Sequence, residues 1–176
     1  MAHVAVDQGV PGIVGLLDRY PETAGPLNAL AQALLRAEEG LSAAERELIA
    51  THVSSLNRCV FCTSSHAAAA RHLLGEAETV DAVVAGAAAP RVTPKLQALL
   101  EIAGSVQRGG RSVGDGQVRA AREQGATDRE IHDTVLIAAA FCMFNRYVDG
   151  LAAWTPDDPA AYDRIGAQLA AHGYAR

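Results

Sequence analysis

The sequence predicts an all-α fold, a compact bundle of about seven to eight helices in a single domain spanning residues 1–176. Three observations carry that expectation. Apolar residues make up 49% of the chain but aromatics only 5%, and alanine supplies much of the apolar count. Such a composition favours helices packed closely through small side chains over a sheet rich in Val, Tyr and Trp. Helix-start signals recur as well: Ser42 with Glu45, and Thr127 with Glu130, both read as capping boxes ahead of apolar-periodic segments. Finally, no segment reads as a strand–helix–strand unit, and 176 residues suffice for one domain with a real core.

The elements follow in order. "VPGIVGLLDRYPETAGPLNALAQALLRAEEG" is helical with a break opened by Pro21. Pro26 lies near the start of a helix that ends around Glu39, before Gly40. Ser42 opens the next helix, to about Ser55, with Ile49, Val53 and Leu56 on one apolar face. "LNR" is a short connection, and a helix starts near Cys59 and reaches about Leu74, with Gly75 as its stop. "ETVDAVVAGAAA" is a weaker helix ended by Pro90, and Thr93 caps another whose first residue is Pro94. "GGRSVGDG" is a loop whose glycines lack phosphate-binding spacing and follow no strand. "QVRAAREQ" is a short helix closed by Gly125, Thr127 opens a long one to about Asp149, and a last helix lies near "AAYDRIGAQLAAH". No linker divides the chain. The two capping-box helices hint at a duplication, although the residues after them align only with a gap.

Charge and hydropathy narrow the function. A net charge of −5 argues against a nucleic-acid partner. No apolar run approaches the ~18 residues of a membrane span. The start "MAHVAVDQGV" lacks the basic end and apolar stretch of a secretory signal. A cytoplasmic protein is expected. In that compartment structural disulfides are rare, and a close cysteine pair points to catalysis or metal binding.

Such a pair occurs in "NRCVFCTSSH". On a helix Cys59, Cys62 and His66 share one face, and His66 leans back toward Cys62. A thiol in the first helical turn feels the positive end of the macrodipole, and Arg58 is a second positive neighbour. His66 in reach of Cys62 takes its proton, and Cys59 stands one turn away to attack whatever forms on Cys62. The residues therefore read as a dithiol redox centre. A zinc site would need a fourth ligand, and only Cys142, in an apolar helix, and scattered histidines remain. Two plain core cysteines are the other alternative.

The stretch "LSAAERELIATHVSSLNRCVFCTSSHAAAAR" resembles the alkylhydroperoxidase D / carboxymuconolactone decarboxylase family, in its peroxidase-related branch. The family pattern is a glutamate, Cys-x-x-Cys beginning twelve residues later, then a histidine after three more residues. Here these positions are Glu47, Cys59, Cys62 and His66, within a core motif region of 41–75. "PETAGPLNALAQALLR" and "FNRYVDGLA" extend the resemblance over most of the chain. It implies an all-α fold, homo-oligomers (dimer, trimer or hexamer), and peroxide reduction without a metal or organic cofactor. It also implies that Cys62 is the peroxidatic thiol, Cys59 the resolving one, and Glu47 and His66 the proton relay. One position departs: well-studied peroxidases of the family carry a second histidine where this chain has Phe61. Members without the cysteine pair are decarboxylases.

Without the resemblance Glu47 is ambiguous. It aligns with Thr51 and Ser54 in a polar stripe that faces either a site or water, while Glu45 is the cap. His52, on the same helix, is read as a surface or core histidine. On the long C-terminal helix Ile131, Val135, Ala138 and Cys142 form an apolar stripe that Asn145 and Asp149 continue. Asn145, Arg146 and Asp149 either form a polar network near a pocket or subunit contact, or mark a helix end emerging into water. Cys142 is read as a small core residue, and His132 and His172 receive no role.

The expected function is a thiol-dependent peroxidase, acting on an alkyl hydroperoxide or hydrogen peroxide through Cys59 and Cys62. Its partners are the peroxide and an external dithiol reductant. The alternative is a redox sensor or general disulfide reductase using the same pair. Turnover with a dithiol separates the enzyme from a sensor, which oxidises once and stops.

Overall fold

A computed structural model describes residues 2–175. Among them are nine α-helices and no strand: α1 (Gly12–Arg19), α2 (Pro21–Leu35), α3 (Ala43–Leu56), α4 (Val60–Leu74), α5 (Glu78–Ala85), α6 (Pro94–Arg108), α7 (Asp115–Glu123), α8 (Asp128–Gly150) and α9 (Pro159–His172). The expected loop before α7 contains one turn of 3-10 helix, Gly110–Ser112. Nine helices, against seven or eight expected, arise because the front segment divides at Tyr20 and Pro21 starts α2 as its first residue.

Pro26 lies inside α2 and not at its start. Its missing N–H costs little there, because both Pro26 and Glu22, whose carbonyl loses a partner, are exposed to water. The helix ends at Leu35, four residues earlier than the pattern suggests. Two arginines take its last carbonyls. Arg36 Nη1 donates to Leu35 O (2.7 Å), and Arg46 Nη1 donates to Leu34 O (2.9 Å). The rest of the fully buried Arg46 guanidinium binds Leu41 O (2.9 Å), Glu39 O (2.7 Å) and the Asp133 carboxylate of α8 (2.8 Å). One side chain thus closes the α2–α3 turn and ties α3 to α8.

Both capping boxes are formed. Ser42 Oγ accepts from Glu45 N (3.3 Å) while Ser42 N donates to Glu45 Oε2 (2.8 Å), and Thr127 with Glu130 repeats the arrangement (3.2 and 2.8 Å). Thr93 Oγ1 caps α6 through Leu96 N (3.1 Å). Helix α5 stops at Ala85 and not at Pro90, because Gly86 turns into the left-handed conformation.

Small side chains set the packing around α4, as the composition implies. Ala67, Ala68, Ala69 and Ala70 are all buried, and α9 crosses over them at Gly166. A Cβ at Gly166 would lie 2.5 Å from Ala68, so this approach requires glycine. The main core joins α2, α3, α6 and α8 around Leu35, Ile49, Val53, Leu99, Ile102 and Ile137. A smaller apolar cluster of Cys59, Phe61, Cys62, Ala68, Val148 and Tyr162 lies where α4 meets α9 and the end of α8. Ile49 and Val53 are buried as expected, whereas Leu56, at the last turn of α3, is exposed.

Candidate active site

The site is built on the turn between α3 and α4. Asn57 ends α3, Arg58 takes a left-handed backbone conformation (φ 59°), and Cys59 follows. Cys59 N donates to Ser54 O (3.1 Å) and Arg58 N to Ser55 O (3.0 Å). These are the paired bonds of a Schellman cap, with arginine at the position that usually holds glycine. The cap reverses the chain within a few residues and delivers Cys59 as the N-cap of α4 and Cys62 as its third residue. Arg58, considered in the sequence as a positive neighbour of the thiols, contributes its backbone here; its side chain is exposed.

Cys59 and Cys62 are both buried and both free thiols. They differ electrostatically. Hydrogen bonding from the Cys59 thiol, then the charge of His66 and a hydrogen bond from Asn145, outweigh burial and hold the Cys62 thiol below its ordinary value. The same hydrogen bond, with burial, pushes Cys59 far up, and nearby Asp149 adds to the rise. Asymmetry of this kind makes Cys62 the more acidic of the two thiols and Cys59 the one that holds its proton more tightly.

Glu47, on α3, is completely buried and faces α4. Its Oε2 lies 2.7 Å from His66 Nδ1, and its Oε1 receives Arg36 Nη2 (2.8 Å) and the Tyr174 hydroxyl (2.6 Å). Burial alone would raise its carboxyl, but the charge and hydrogen bond of His66, with Arg36 and Tyr174, more than offset this, and Glu47 is held below its usual value. A carboxylate at Nδ1 fixes the imidazole's orientation. Nε2, which has no hydrogen-bond partner among the described residues, is then the nitrogen available to exchange a proton. The His66 ring is held by the edge of Phe141 (centroids 4.6 Å apart) and stacks on Tyr174 (6.0 Å, 13° between planes).

Cys62 and His66 open into a cavity of about 60 Å³ lined mainly by apolar groups, among them Ile13, Leu17, Leu27, Phe61 and Phe144. Phe61 occupies the position of the family's second histidine. Its ring lies against Tyr162 (6.1 Å) and adds to the apolar wall, so no imidazole stands there. Asn145 belongs to a polar network beside the pocket. Its Oδ1 accepts from Asn57 Nδ2 (2.7 Å), its Nδ2 donates to Ser54 Oγ (3.1 Å), and Asn57 in turn accepts from Gln107 Nε2 (2.9 Å). Arg146 turns away, donating to Cys142 O (2.9 Å), and Asp149 is exposed, close enough to Cys59 to affect its thiol. Cys142 is buried under Asn57 Nδ2 (3.7 Å).

The structure thus gathers Glu47, His66, Cys62 and Cys59 at one place. His52 lies elsewhere, in a separate cleft of about 320 Å³ with Leu56, Gly104 and Arg108, where burial lowers its pKa. Sequence reasoning missed Arg36, Tyr174 and Asn57. Arg36 stands among charges at a helix end, and no spacing relates Tyr174 to the cysteine motif. The only signal for Tyr174 was a lone aromatic in a polar terminal segment. Among the described residues no group of three or more His, Cys, Asp or Glu is arranged to hold a metal ion, and no helix is long and apolar enough to cross a membrane.

This fold is shared with solved structures. An alkylhydroperoxidase AhpD core protein, an uncharacterized peroxidase-related protein from Ralstonia eutropha JMP134, superposes with a TM-score of 0.79 at 27% identity, covering 89% of this chain and 80% of that one. An uncharacterized peroxidase-related protein from Silicibacter sp. TM1040 gives 0.74 at 28% identity, covering 85% and 78%. A putative antioxidant defence protein AhpD of unknown function from Agrobacterium tumefaciens gives 0.72 over 84% and 99%, and its 23% identity speaks to the fold alone. No curated protein matches the chain. The model of the carboxymuconolactone decarboxylase family matches residues 21–104 and again 88–156, each match holding one of the two capping-box helices. With most of its length matched and peroxidase-related proteins as structural neighbours, the chain belongs to the carboxymuconolactone decarboxylase family, in its alkylhydroperoxidase D-like, peroxidase-related branch.

Proposed function

We propose that the protein is a thiol-dependent peroxidase in which Cys62 attacks the peroxide. One observation carries the reading: the thiol held low, Cys62, stands one helical turn from a histidine anchored on a buried carboxylate. The Cys62 thiolate attacks the outer oxygen of ROOH and the O–O bond breaks. Cys62 becomes a sulfenic acid, and the alkoxide, or hydroxide from hydrogen peroxide, leaves with a proton. His66 first takes the Cys62 proton and then supplies one to the leaving oxygen, while Glu47 holds its Nδ1. Cys59 then attacks the sulfenic sulfur, the disulfide forms, and water departs with the Cys59 proton. An external dithiol restores both thiols, so the balance is one peroxide and one dithiol consumed per alcohol and water formed.

The Phe61 ring makes the wall beside Cys62 apolar, and the proton exchange falls to His66 and Glu47. Steady-state consumption of a small organic hydroperoxide with an excess of dithiol tests the reading. Many turnovers by the parent and none by Cys62→Ser are expected. A single stoichiometric oxidation that then stops would make the protein a sensor.

A further inference from the structure

The Glu47–His66 pair has a third member from the far end of the chain. After α9 the backbone turns at Gly173 and enters the site, placing Tyr174 beside residues from α2, α3 and α4. The turn needs glycine. Gly173 has φ 69°, and a Cβ there would lie 2.5 Å from Gln32 Oε1. That same oxygen accepts the Tyr174 backbone N–H (2.7 Å), which fixes the segment on α2. The Tyr174 hydroxyl then lies 2.6 Å from Glu47 Oε1 and 3.2 Å from His66 Nδ1. Its ring stacks on His66, and the Arg36 guanidinium lies 5.0 Å from its centroid.

We propose that Tyr174 is a positioning residue of the site: its hydroxyl, donated to Glu47 Oε1, keeps the carboxylate aimed at His66 Nδ1, and its ring closes the cavity over Cys62. A phenol at this place is the polar group that ties the relay together in a chain whose CxxC position 61 is phenylalanine. Four contacts, to Gln32, Arg36, Glu47 and His66, converge on one side chain and its amide. A half-buried tyrosine with a packing role alone would need none of the hydroxyl bonds. The charged and titratable groups facing Glu47 are Arg36 from the end of α2, His66 from α4 and Tyr174 from the terminal segment. The first two remain when the hydroxyl is removed, so the variant reads the hydroxyl alone.

The inference rests on the peroxidase reading for its activity measurement only. Tyr174→Phe, Glu47→Gln and the double variant of the full chain are compared in two assays from about pH 4 to about pH 9: peroxide reduction, and alkylation of Cys62 by iodoacetamide followed by peptide mass spectrometry. Tyr174→Phe keeps the ring, and thermal melting confirms its fold. At neutral pH it is expected to slow both reactions by about tenfold, the scale of one hydrogen bond to a charged group. Its acid limb should move to higher pH, because Glu47 loses a contact that favours its ionised form. In the Glu47→Gln background the same change should have no further effect. A loss equal at every pH, an equal loss with Glu47→Gln already present, or no loss at all would overturn the proposal. If the parent reduces no peroxide, the peroxidase reading fails, and the alkylation profile still decides the role of Tyr174.

Discussion

Glu47 Oε2 and His66 Nδ1 are 2.7 Å apart, joining α3 to α4 across the turn that carries Cys59. The carboxylate is fully buried, so its charge is useful only while a partner holds it, and His66 is that partner on the side of the thiols. Glu47→Gln keeps the shape of the side chain and should cost rate more than structure, whereas His66→Ala takes one of three partners from a buried carboxylate and should cost stability as well. Glu47→Gln and His66→Ala are each expected to slow peroxide reduction by ~10²-fold or more, the usual scale of general acid–base catalysis. Stopped-flow rates with oligomer size checked by gel filtration measure this. Glu45→Gln, at the capping box, should keep the parent rate.

Asn145 predicts a change in thiol acidity. Its hydrogen bond is among the influences that lower Cys62, so Asn145→Ala should raise the pH at which Cys62 becomes reactive. Iodoacetamide labelling across pH, read at the Cys62 peptide, would show the midpoint moving up. An unmoved midpoint would separate the Asn57–Asn145–Ser54 network from the chemistry.

The left-handed Arg58 predicts an unusual order of stabilities. An L side chain there costs about 1–2 kcal/mol relative to glycine, so Arg58→Gly should be more stable than Arg58→Ala by about 1 kcal/mol. Urea unfolding monitored by circular dichroism tests the pair. Because the side chain is exposed, neither variant should alter Cys62 labelling.

Arg46 and the acidic groups predict how the fold responds to pH. Arg46→Met would leave Asp133 without its buried partner and should cost about 3 kcal/mol or more. Burial alone would raise the Asp133 carboxyl, but hydrogen bonds from His132, Arg46 and Arg129 hold it low. Glu47 is likewise held low in the folded protein. A carboxyl that is more acidic when folded stabilises the fold fully above its unfolded value and loses that contribution as pH falls toward its folded one. Stability should hold at neutral pH and fall below about pH 4, and Glu47→Gln should show a shallower acid decline.

We propose a homo-oligomer as well. Leu136 and Met143 stand two turns apart on α8 and are both exposed, a placement that fits burial against a second copy. Light scattering should give a particle larger than one chain, and Leu136→Glu with Met143→Glu should shrink it.

Much of the fold was legible because helix starts are encoded locally. Ser42 with Glu45 and Thr93 with Pro94 mark their helices within four residues, and the structure forms each cap. Of the misplaced helix ends, that of α5 had a local signal in Gly86 and that of α2 did not. The end of α2 depends on Arg46, which lies on the next helix, and nothing around Leu35 announces it. The candidate site divided along the same line. Cys59, Cys62 and His66 are neighbours on one helix, so their spacing was enough to bring them together. Glu47 needed the family resemblance, since a polar stripe of Glu47, Thr51 and Ser54 reads equally as a wet face, and its complete burial arises only when α3 packs on α4. Arg36 and Tyr174 lie 11 and 127 residues from Glu47 and meet it only in the folded chain.

The central claim is that Cys62, and not Cys59, is the thiol that meets peroxide. Cys59→Ser and Cys62→Ser, exposed to one equivalent of hydroperoxide and trapped with a dimedone-type probe, test it most directly by peptide mass spectrometry. The account predicts a sulfenic-acid adduct at Cys62 in the first variant and almost none at Cys59 in the second. Equal labelling in both, or labelling at Cys142 instead, would contradict it.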